Sequence, residues 1–288
     1  MQERLYLDRA SCGNARVTLL ETSKTLGVIG CGTMGEAIVR GILRSGNLVP
    51  TQVFACDARA DVARDLAAKH GIRTGTDNLA VASASDAVLV CVKPYQMAAV
   101  LDGDAMRAAL AGKLVISIAA GVRLEKLCGF LPGSAVIRAM PNVSALIGEG
   151  AAGLARSKGT SDAQMALALA LFASVGKAQE VDEAHMDIVT AVAGSGPAFV
   201  FVMIDALADG AVRLGLRRDA AVAMAAQMVQ GAARMVLQTG THPAVLKDQV
   251  TTPGGCTIAG LGVMEDGKIR SVLARTIEET ARVAGKLG

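Results

Sequence analysis

Between Leu26 and Val181, short apolar runs alternate with stretches in which apolar residues recur every three or four positions. The runs are Leu26–Gly30, Gln52–Cys56, Ala87–Val92, Leu114–Ile118 and Ala135–Arg138. Helical spacing fills Met34–Ser45, closed by Gly46, and Ala60–His70. The second of these ends in a C-cap signature, with Lys69-His70 in the last turn and Gly71 behind them. Strands alternating with helices predict βαβ units and a mostly parallel sheet covered on both faces.

From Asp182 onward the alternation disappears and long helical spacings take over. Ile188–Ala193 leads into Gly194-Ser195-Gly196-Pro197, then Ala198–Leu214. The uncharged run from Ile188 to Ile204 is interrupted by that Gly-Ser-Gly-Pro. It falls short of the roughly 20 residues of a membrane-spanning helix, so core is expected. Asp219 is the expected N-cap of a helix over Ala220–Gln238 that stops before Gly240. That helix is apolar nearly all round, with Met224, Met228 and Met235 on one stripe. A helix without a polar face is buried on several sides, which a second subunit supplies most easily. The chain thus divides into an extension (1–25), expected to be loosely held, an α/β domain (26–181) and an all-α domain (182–288).

Composition narrows the function. The 288 residues are 52% hydrophobic and 19% charged, which excludes disorder over most of the chain. A formal net charge of +3 is too balanced for a nucleic-acid partner or an anionic membrane surface. Aromatic residues are 2% and Trp is absent, so base-stacking platforms are not expected. Cys12, Cys31, Cys56, Cys91, Cys128 and Cys256 are scattered, with no CxxC pair and no His at metal-ligand spacing. They read as reduced thiols in a reducing compartment, and no metal site is expected. The first two dozen residues lack an apolar segment and mix both charges, which argues against a secretory or transit signal and for the cytoplasm.

Two segments carry chemistry. Gly30-Cys31-Gly32-Thr33-Met34-Gly35 is a G-x-G-x-x-G directly after a predicted strand and before a predicted helix. Gly30 makes the tight turn, Gly32 lets the backbone approach a pyrophosphate, and Gly35 lets helix and strand pack closely. Asp57 closes the second run, twenty-two residues after Gly35, where an acid commonly binds a ribose 2′-hydroxyl. Arg59 would instead hold a 2′-phosphate, and Asp57 would serve equally well as a loop N-cap. The second segment is Pro253-Gly254-Gly255-Cys256-Thr257, a turn opening straight into a helix. Free backbone N–H groups behind small side chains make a seat for a small carboxylate, and Thr257 adds one hydroxyl. A tight helix–helix connection has the same pattern. Nucleophile and metalloprotease motifs are missing, His70, His185 and His242 lack partners, and Glu265 and Asp266 are expected in a solvated turn. The reaction is therefore one that a cofactor carries.

From Leu26 nearly to the C-terminus the sequence resembles pyrroline-5-carboxylate reductase. The resemblance rests on GCGTMG (30–35), VKP (92–94), SIAAGV (117–122), IRAMPN (137–142), GSGPA (194–198) and LKDQVTTPGGCTIAGL (246–261). It implies an α/β Rossmann domain followed by an all-α dimerisation domain. The implied reaction is reduction of 1-pyrroline-5-carboxylate to L-proline by hydride from NADPH or NADH, with both used and NADPH favoured. A homodimer is implied, and a decamer of five dimers as the larger assembly. Ile29, Gly30, Cys31, Gly32, Thr33 and Met34 match the phosphate-binding turn, and Asn78 an asparagine near the adenosine ribose. Cys91, Val92, Lys93 and Pro94 match a cofactor-lining loop, and Ile118, Ala119 and Ala120 the segment beside the nicotinamide. Gln249, Gly254, Gly255, Cys256 and Thr257 fall on the substrate segment, Thr257 orienting the ring nitrogen. Position 256 departs from the family, whose members usually carry Thr or Ala there. Two alternatives remain: a β-hydroxyacid dehydrogenase, whose K-x-x-x-N pattern fails at Lys247 and Thr251, and a non-enzymatic dinucleotide-binding protein.

Overall fold

The computed structural model of the chain describes residues 24–287. Residues 1–23, most of the expected extension, lie outside them. Thr25, assigned to that extension, already joins the fold: its N–H donates to Asp86 Oδ2 at 2.8 Å, and its carbonyl accepts from Asp86 N–H at 2.9 Å.

Two compact units divide the chain. The first contains β1 (Leu26–Ile29), α1 (Thr33–Ser45), β2 (Val53–Cys56), α2 (Ala60–His70), β3 (Arg73–Gly75), α3 (Asn78–Ala84) and β4 (Ala87–Val90). It continues through α4 (Met97–Leu101), α5 (Asp104–Leu110), β5 (Leu114–Ser117), α6 (Leu124–Phe130) and β6 (Ala135–Met140). It closes with β7 (Gly150–Arg156), α7 (Asp162–Ala173), β8 (Gly176–Glu180) and α8 (Met186–Val189). The strands form one sheet in the order β3-β2-β1-β4-β5-β6-β7-β8. Among the described residues only the β6–β7 pairing is antiparallel. Pleating sends successive side chains to opposite faces. Leu26, Val28, Leu89, Ile116, Ile137 and Phe172 therefore build one core. Ile29, Val88, Val90, Val115 and Val136 build the other. Strands buried on both faces read as continuous apolar runs, which is why β1, β2, β4, β5 and β6 were visible in the sequence. Helix α2 has the expected bounds, and Gly71 behind it is left-handed at φ 66°.

The second unit holds α9 (Gly196–Arg213), α10 (Arg218–Thr239), α11 (Pro243–Gln249), α12 (Cys256–Asp266) and α13 (Ile269–Ala284), among which α9 and α10 pack on each other. The contact boundary falls between Gly194 and Ser195, and Ala284–Leu287 return to the first unit. The sequence pattern set the boundary at 181/182, where the helices begin. The difference arises because the first helical turns belong to the sheet's core: Met186 and Ala191 are fully buried in it and Thr190 nearly so.

Two local expectations are corrected and one is sharpened. The Gly-Ser-Gly-Pro stretch interrupts the regular helix only at Ser195, a bend between a π turn and α9, so the helical course still spans Glu183–Arg213. A π turn over Thr190–Gly194 absorbs the irregularity, and Pro197 sits in the first turn of α9, where an N–H is not needed. Asp219 is not an N-cap; α10 starts at Arg218 after Arg217, and Asp219 lies in the first turn, paired with Arg217 at 2.9 Å. Glu265 and Asp266 are the last residues of α12, not a turn, and Glu265 pairs with Arg270 at 2.7 Å.

Within residues 195–283 the buried hydrophobic residues are Ala208, Ala221 and Ala225 alone. Met224, Met228 and Met235 are 65%, 52% and 46% exposed in the single chain. Among the described residues, Glu183–Arg213 and Arg218–Thr239 are long and apolar enough to cross a membrane by length and composition. A second copy of the chain is the other cover for such faces. If a second copy covers this stripe, Met228→Glu buries an unpaired charge. Its dimer Kd should rise at least about a hundredfold, the counterpart of about 3 kcal/mol. Light scattering across a dilution series measures this, and an unchanged dimer would remove Met228 from the interface.

Candidate active site

The residues expected at a dinucleotide gather at the carboxyl ends of β1, β2, β4 and β5. Gly30 turns the chain with φ +95°, and an added Cβ would stand 3.0 Å from both the Cys91 backbone and the Val92 side chain. Gly35 is fixed more tightly, since its Cβ would lie 2.2 Å from the Gly30 carbonyl oxygen. Around Gly32 an added Cβ meets nothing within 4 Å. Two of the glycines are thus required by packing, while the third faces open space, the condition for a phosphate to approach the backbone. Thr33 and Met34 then open α1, whose N-cap Gly32 carries no side chain over the first-turn N–H groups.

Asp57 follows β2 and its side chain is 13% exposed. Its Oδ2 accepts from Cys31 N–H at 3.0 Å. Its Oδ1 accepts from Arg59 N–H at 3.0 Å and from Arg59 Nε at 3.4 Å. Asp57 is not the N-cap of α2, which Arg59 precedes, but its bond to Arg59 N–H two residues on caps the loop before that helix. Asp57 also braces the glycine turn through Cys31 N–H. Asn78, the first residue of α3, is tied to the same corner: its Oδ1 accepts from the Cys56 thiol at 3.1 Å. Cys91 N–H donates to Ile29 O at 2.7 Å and Ile118 N–H to Val90 O at 3.1 Å, so both loops leave the sheet beside the turn. Lys93 and Pro94 start the next turn, where Lys93 N–H donates to Gln96 Oε1 at 3.0 Å. Ala119 is buried and Ala120 half-buried.

The thiols add no charge. Burial, then the nearby Asp57 carboxylate, pushes Cys31 up to about 12. The same causes, with Asp77, push Cys56 up to about 12. Burial likewise raises Cys91. All three are neutral at neutral pH, so no thiolate repels a phosphate at this turn.

Two cavities flank the corner. One of about 330 Å³ is lined by Cys31, Gly32, Thr33 and Arg59, together with Arg40 and Lys69. The other, of about 570 Å³, is lined by Thr76, Asp77, Asn78 and residues of α4 and α5. Neither is lined by the Cys91–Pro94 or Ile118–Ala120 loops. Arg40 and Lys69 were missed in the sequence, where they sit in ordinary charged helix faces. Lys69 pairs with Glu36 at 3.1 Å and Arg40 bonds the Leu146 carbonyl, so neither is an isolated cation.

The segment expected to seat a carboxylate lies in the second unit. Gln249 ends α11, and Thr251 Oγ1 donates to Lys247 O at 2.7 Å. Gly254 has φ +66°, and an added Cβ at Gly255 would lie 2.3 Å from Thr252 Oγ1. The first rung of α12 is Ala259 N–H to Gly255 O at 3.5 Å. Among the described residues, the N–H groups of Cys256, Thr257 and Ile258 therefore have no partner. Cys256 is exposed and Thr257 half-buried, and the first turn of α12 contains no acidic residue. The three histidines stay structural or superficial; His242 Nδ1, for example, caps α11 by accepting from Ala244 N–H at 3.2 Å. Among the described residues no group of His, Cys, Asp and Glu is placed to hold a metal.

Comparison with known proteins matches residues 183–287 to the model of pyrroline-5-carboxylate reductase dimerisation. Residues 25–121 match that of NADP oxidoreductase, coenzyme F420-dependent. A pyrroline-5-carboxylate reductase of Methanosarcina acetivorans is 41% identical over 92% of this chain and 98% of its own length. The solved pyrroline-5-carboxylate reductase of Coxiella burnetii superposes with a TM-score of 0.88 at 31% identity, covering 92% of this chain and 99% of that one. The Plasmodium falciparum enzyme, solved with NADP bound, superposes at 0.80 with 27% identity, covering 93% and 99%.

The geometry of the turn sets a clean test. Gly32 has φ −66°, which any residue adopts, and its side-chain direction is empty. Gly32→Val exchanges a good N-cap for a poor one and should cost no more than about 1 kcal/mol of stability while sharply weakening dinucleotide binding. Thermal melting and a coenzyme fluorescence titration read the two separately; undiminished binding would place the phosphates elsewhere.

Proposed function

Because the chain belongs to the pyrroline-5-carboxylate reductase family, we propose a division of labour for the reaction it carries out, the NAD(P)H-dependent reduction of 1-pyrroline-5-carboxylate to L-proline. This is the last step of proline biosynthesis. When bound, NADPH or NADH supplies the hydride for the imine carbon. Ile29–Gly35 hold the pyrophosphate, with Gly32 as the open approach. Asp57, Arg59 and Asn78 hold the adenosine ribose, and Cys91–Pro94 with Ile118–Ala120 line the nicotinamide half.

The observation that carries the substrate side is the unpartnered N–H row of Cys256, Thr257 and Ile258 behind Gly254 and Gly255. It seats the substrate carboxylate. Gln249 lines the same segment, and the Thr257 hydroxyl orients the ring nitrogen. An alcohol is too weak an acid to be a poised donor at neutral pH, so water or the substrate's own proton completes the balance. Near-attack positioning is then the main protein contribution. The Cys256 side chain is incidental, since imine reduction has no covalent step for a thiol to serve.

The subunits pair as a homodimer through the helical domain, and five such dimers form the larger assembly. That pairing accounts for the two apolar helices without a membrane. Free thiols throughout the described chain support the cytoplasm. Domain limits of 26–181 for the coenzyme domain and 182–288 for the substrate and dimerisation domain follow the change of pattern. Assay of NAD(P)H oxidation with 1-pyrroline-5-carboxylate against a panel of hydroxyacids tests the activity directly.

Two variants test the roles. A neutral hydrogen bond contributes about 0.5–1.5 kcal/mol, so Thr257→Ala should lower kcat/KM roughly three- to tenfold. A folded variant losing more than about 10²-fold would make Thr257 the proton donor. Asp57→Ser removes a carboxylate that disfavours a 2′-phosphate, so the NADPH/NADH ratio of kcat/KM should rise from a parent that already uses both. A fixed ratio would take Asp57 away from the ribose.

A further inference from the structure

Arg138 lies in the middle of β6 with its side chain only 4% exposed. A charge so buried needs a partner, and two acids supply one. Arg138 Nη1 donates to Glu183 Oε1 at 2.9 Å, and Nη2 to Asp187 Oδ1 at 3.5 Å. Arg123 Nη2 stands 4.0 Å from the second oxygen of Asp187. The same Oε1 of Glu183 also accepts from Leu124 N–H at 3.0 Å, the first residue of α6. Glu183 Oε2 is buried without a partner. One carboxylate thus joins the sheet, the start of α6 and the first residue of the long helix that leads into the second unit.

The position of α6 gives this cluster its meaning. Helix α6 follows Ile118–Val122 directly. At Gly121, φ is +78° and an added Cβ would lie 2.8 Å from Leu287 Cβ and 3.0 Å from its carbonyl carbon. The chain leaves the first unit through the helix that begins at Glu183 and returns to it at Ala284–Leu287. Both crossings therefore touch the short stretch Gly121–Leu124, one by hydrogen bond and one by backbone contact.

We propose that Glu183 is a positioning residue. Held by buried Arg138, it fixes the start of α6 and so the Ile118–Val122 segment to the helix that enters the dimerisation unit. The placement of the nicotinamide then depends on how that helix is anchored. This rests on Ile118–Ala120 lying beside the nicotinamide.

The test uses the full-length dimer in three forms: parent, Glu183→Gln and Glu183→Ala. Amide hydrogen exchange over residues 117–124, without coenzyme, is measured beside steady-state kinetics with NADPH and with NADPH deuterated at the transferred position. Glu183→Ala should speed exchange in that segment and lower kcat, each roughly tenfold, with coenzyme KM moving less than about threefold. The deuterium effect on kcat should grow as hydride transfer slows. Glu183→Gln keeps an acceptor for Leu124 N–H and should lose less; if the alanine variant does not fold, it carries the same readouts. Unchanged exchange over 117–124, or faster exchange spread evenly over the first unit, overturns the proposal. Ala120→Leu separates the two failures. If it leaves kcat and coenzyme KM untouched, the nicotinamide is not at this segment. If it impairs them while the Glu183 variants behave as the parent, only the anchoring role falls.

Discussion

The helical unit has almost no core of its own, and much else follows from that. Between 195 and 283, three alanines are the buried hydrophobic residues, while methionines and valines of α9 and α10 stand exposed. Burial of apolar surface is the main favourable term in folding, and a unit this short of it is not stable alone. Pairing with a second copy supplies what is missing. It also explains why two helices of a dimerising domain have the length and composition of membrane spans. Hydropathy reports only that a surface is kept from water, not what covers it.

The first unit solves a different problem: packing a strand and a helix closely across a glycine turn. The Gly30 carbonyl lies where a Gly35 side chain would begin, and Cys91 lies where a Gly30 side chain would begin. These approaches leave the strand–turn–helix junction no freedom, so the N–H groups at the start of α1 are aimed before anything binds. Asp57 adds to the bracing by accepting from Cys31 N–H. The same carboxylate lies 3.4 Å from the exposed Arg59 guanidinium, so the corner pairs one negative charge with one positive.

How much was legible depended on whether a residue's neighbours in sequence were also its neighbours in space. Strands buried on both faces announced themselves, as did α2 with Gly71 behind it, because those signals are local. Strand β3 is three residues, Arg-Thr-Gly, and β8 is Gly-Lys-Ala-Gln-Glu at the far edge; neither carries an apolar run to notice. Asp219 looked like a cap because caps are scored by residue type, yet Arg217 holds it one position inside the helix. Gly-Ser-Gly-Pro marked a real irregularity, a bend at Ser195, but not the π turn before it, which has no residue-type signal. At the site, the glycines were readable and the cations Arg40 and Lys69 were not. One signal was present and unused: Arg138 inside the apolar run of β6. A charge there demands a partner, and Glu183 is forty-five residues away in sequence.

The reaction itself explains why so little of the site looks catalytic. An imine needs a hydride at carbon and a proton at nitrogen, and the coenzyme brings the first. What is left to the protein is geometry and an anion seat. In the proposed division of labour that seat is the first turn of α12, with no acidic residue in that turn and no side chain at Gly254 or Gly255. Fixed backbone dipoles would hold a carboxylate without a titratable partner, so their pull on an anion would not change with pH near neutrality. A lysine or arginine there would bind the carboxylate too, but on a flexible stem that must be ordered again at each turnover. Two glycines and a helix end do the work with atoms that are already in place, which is why the segment reads as a turn until its unpaired donors are counted.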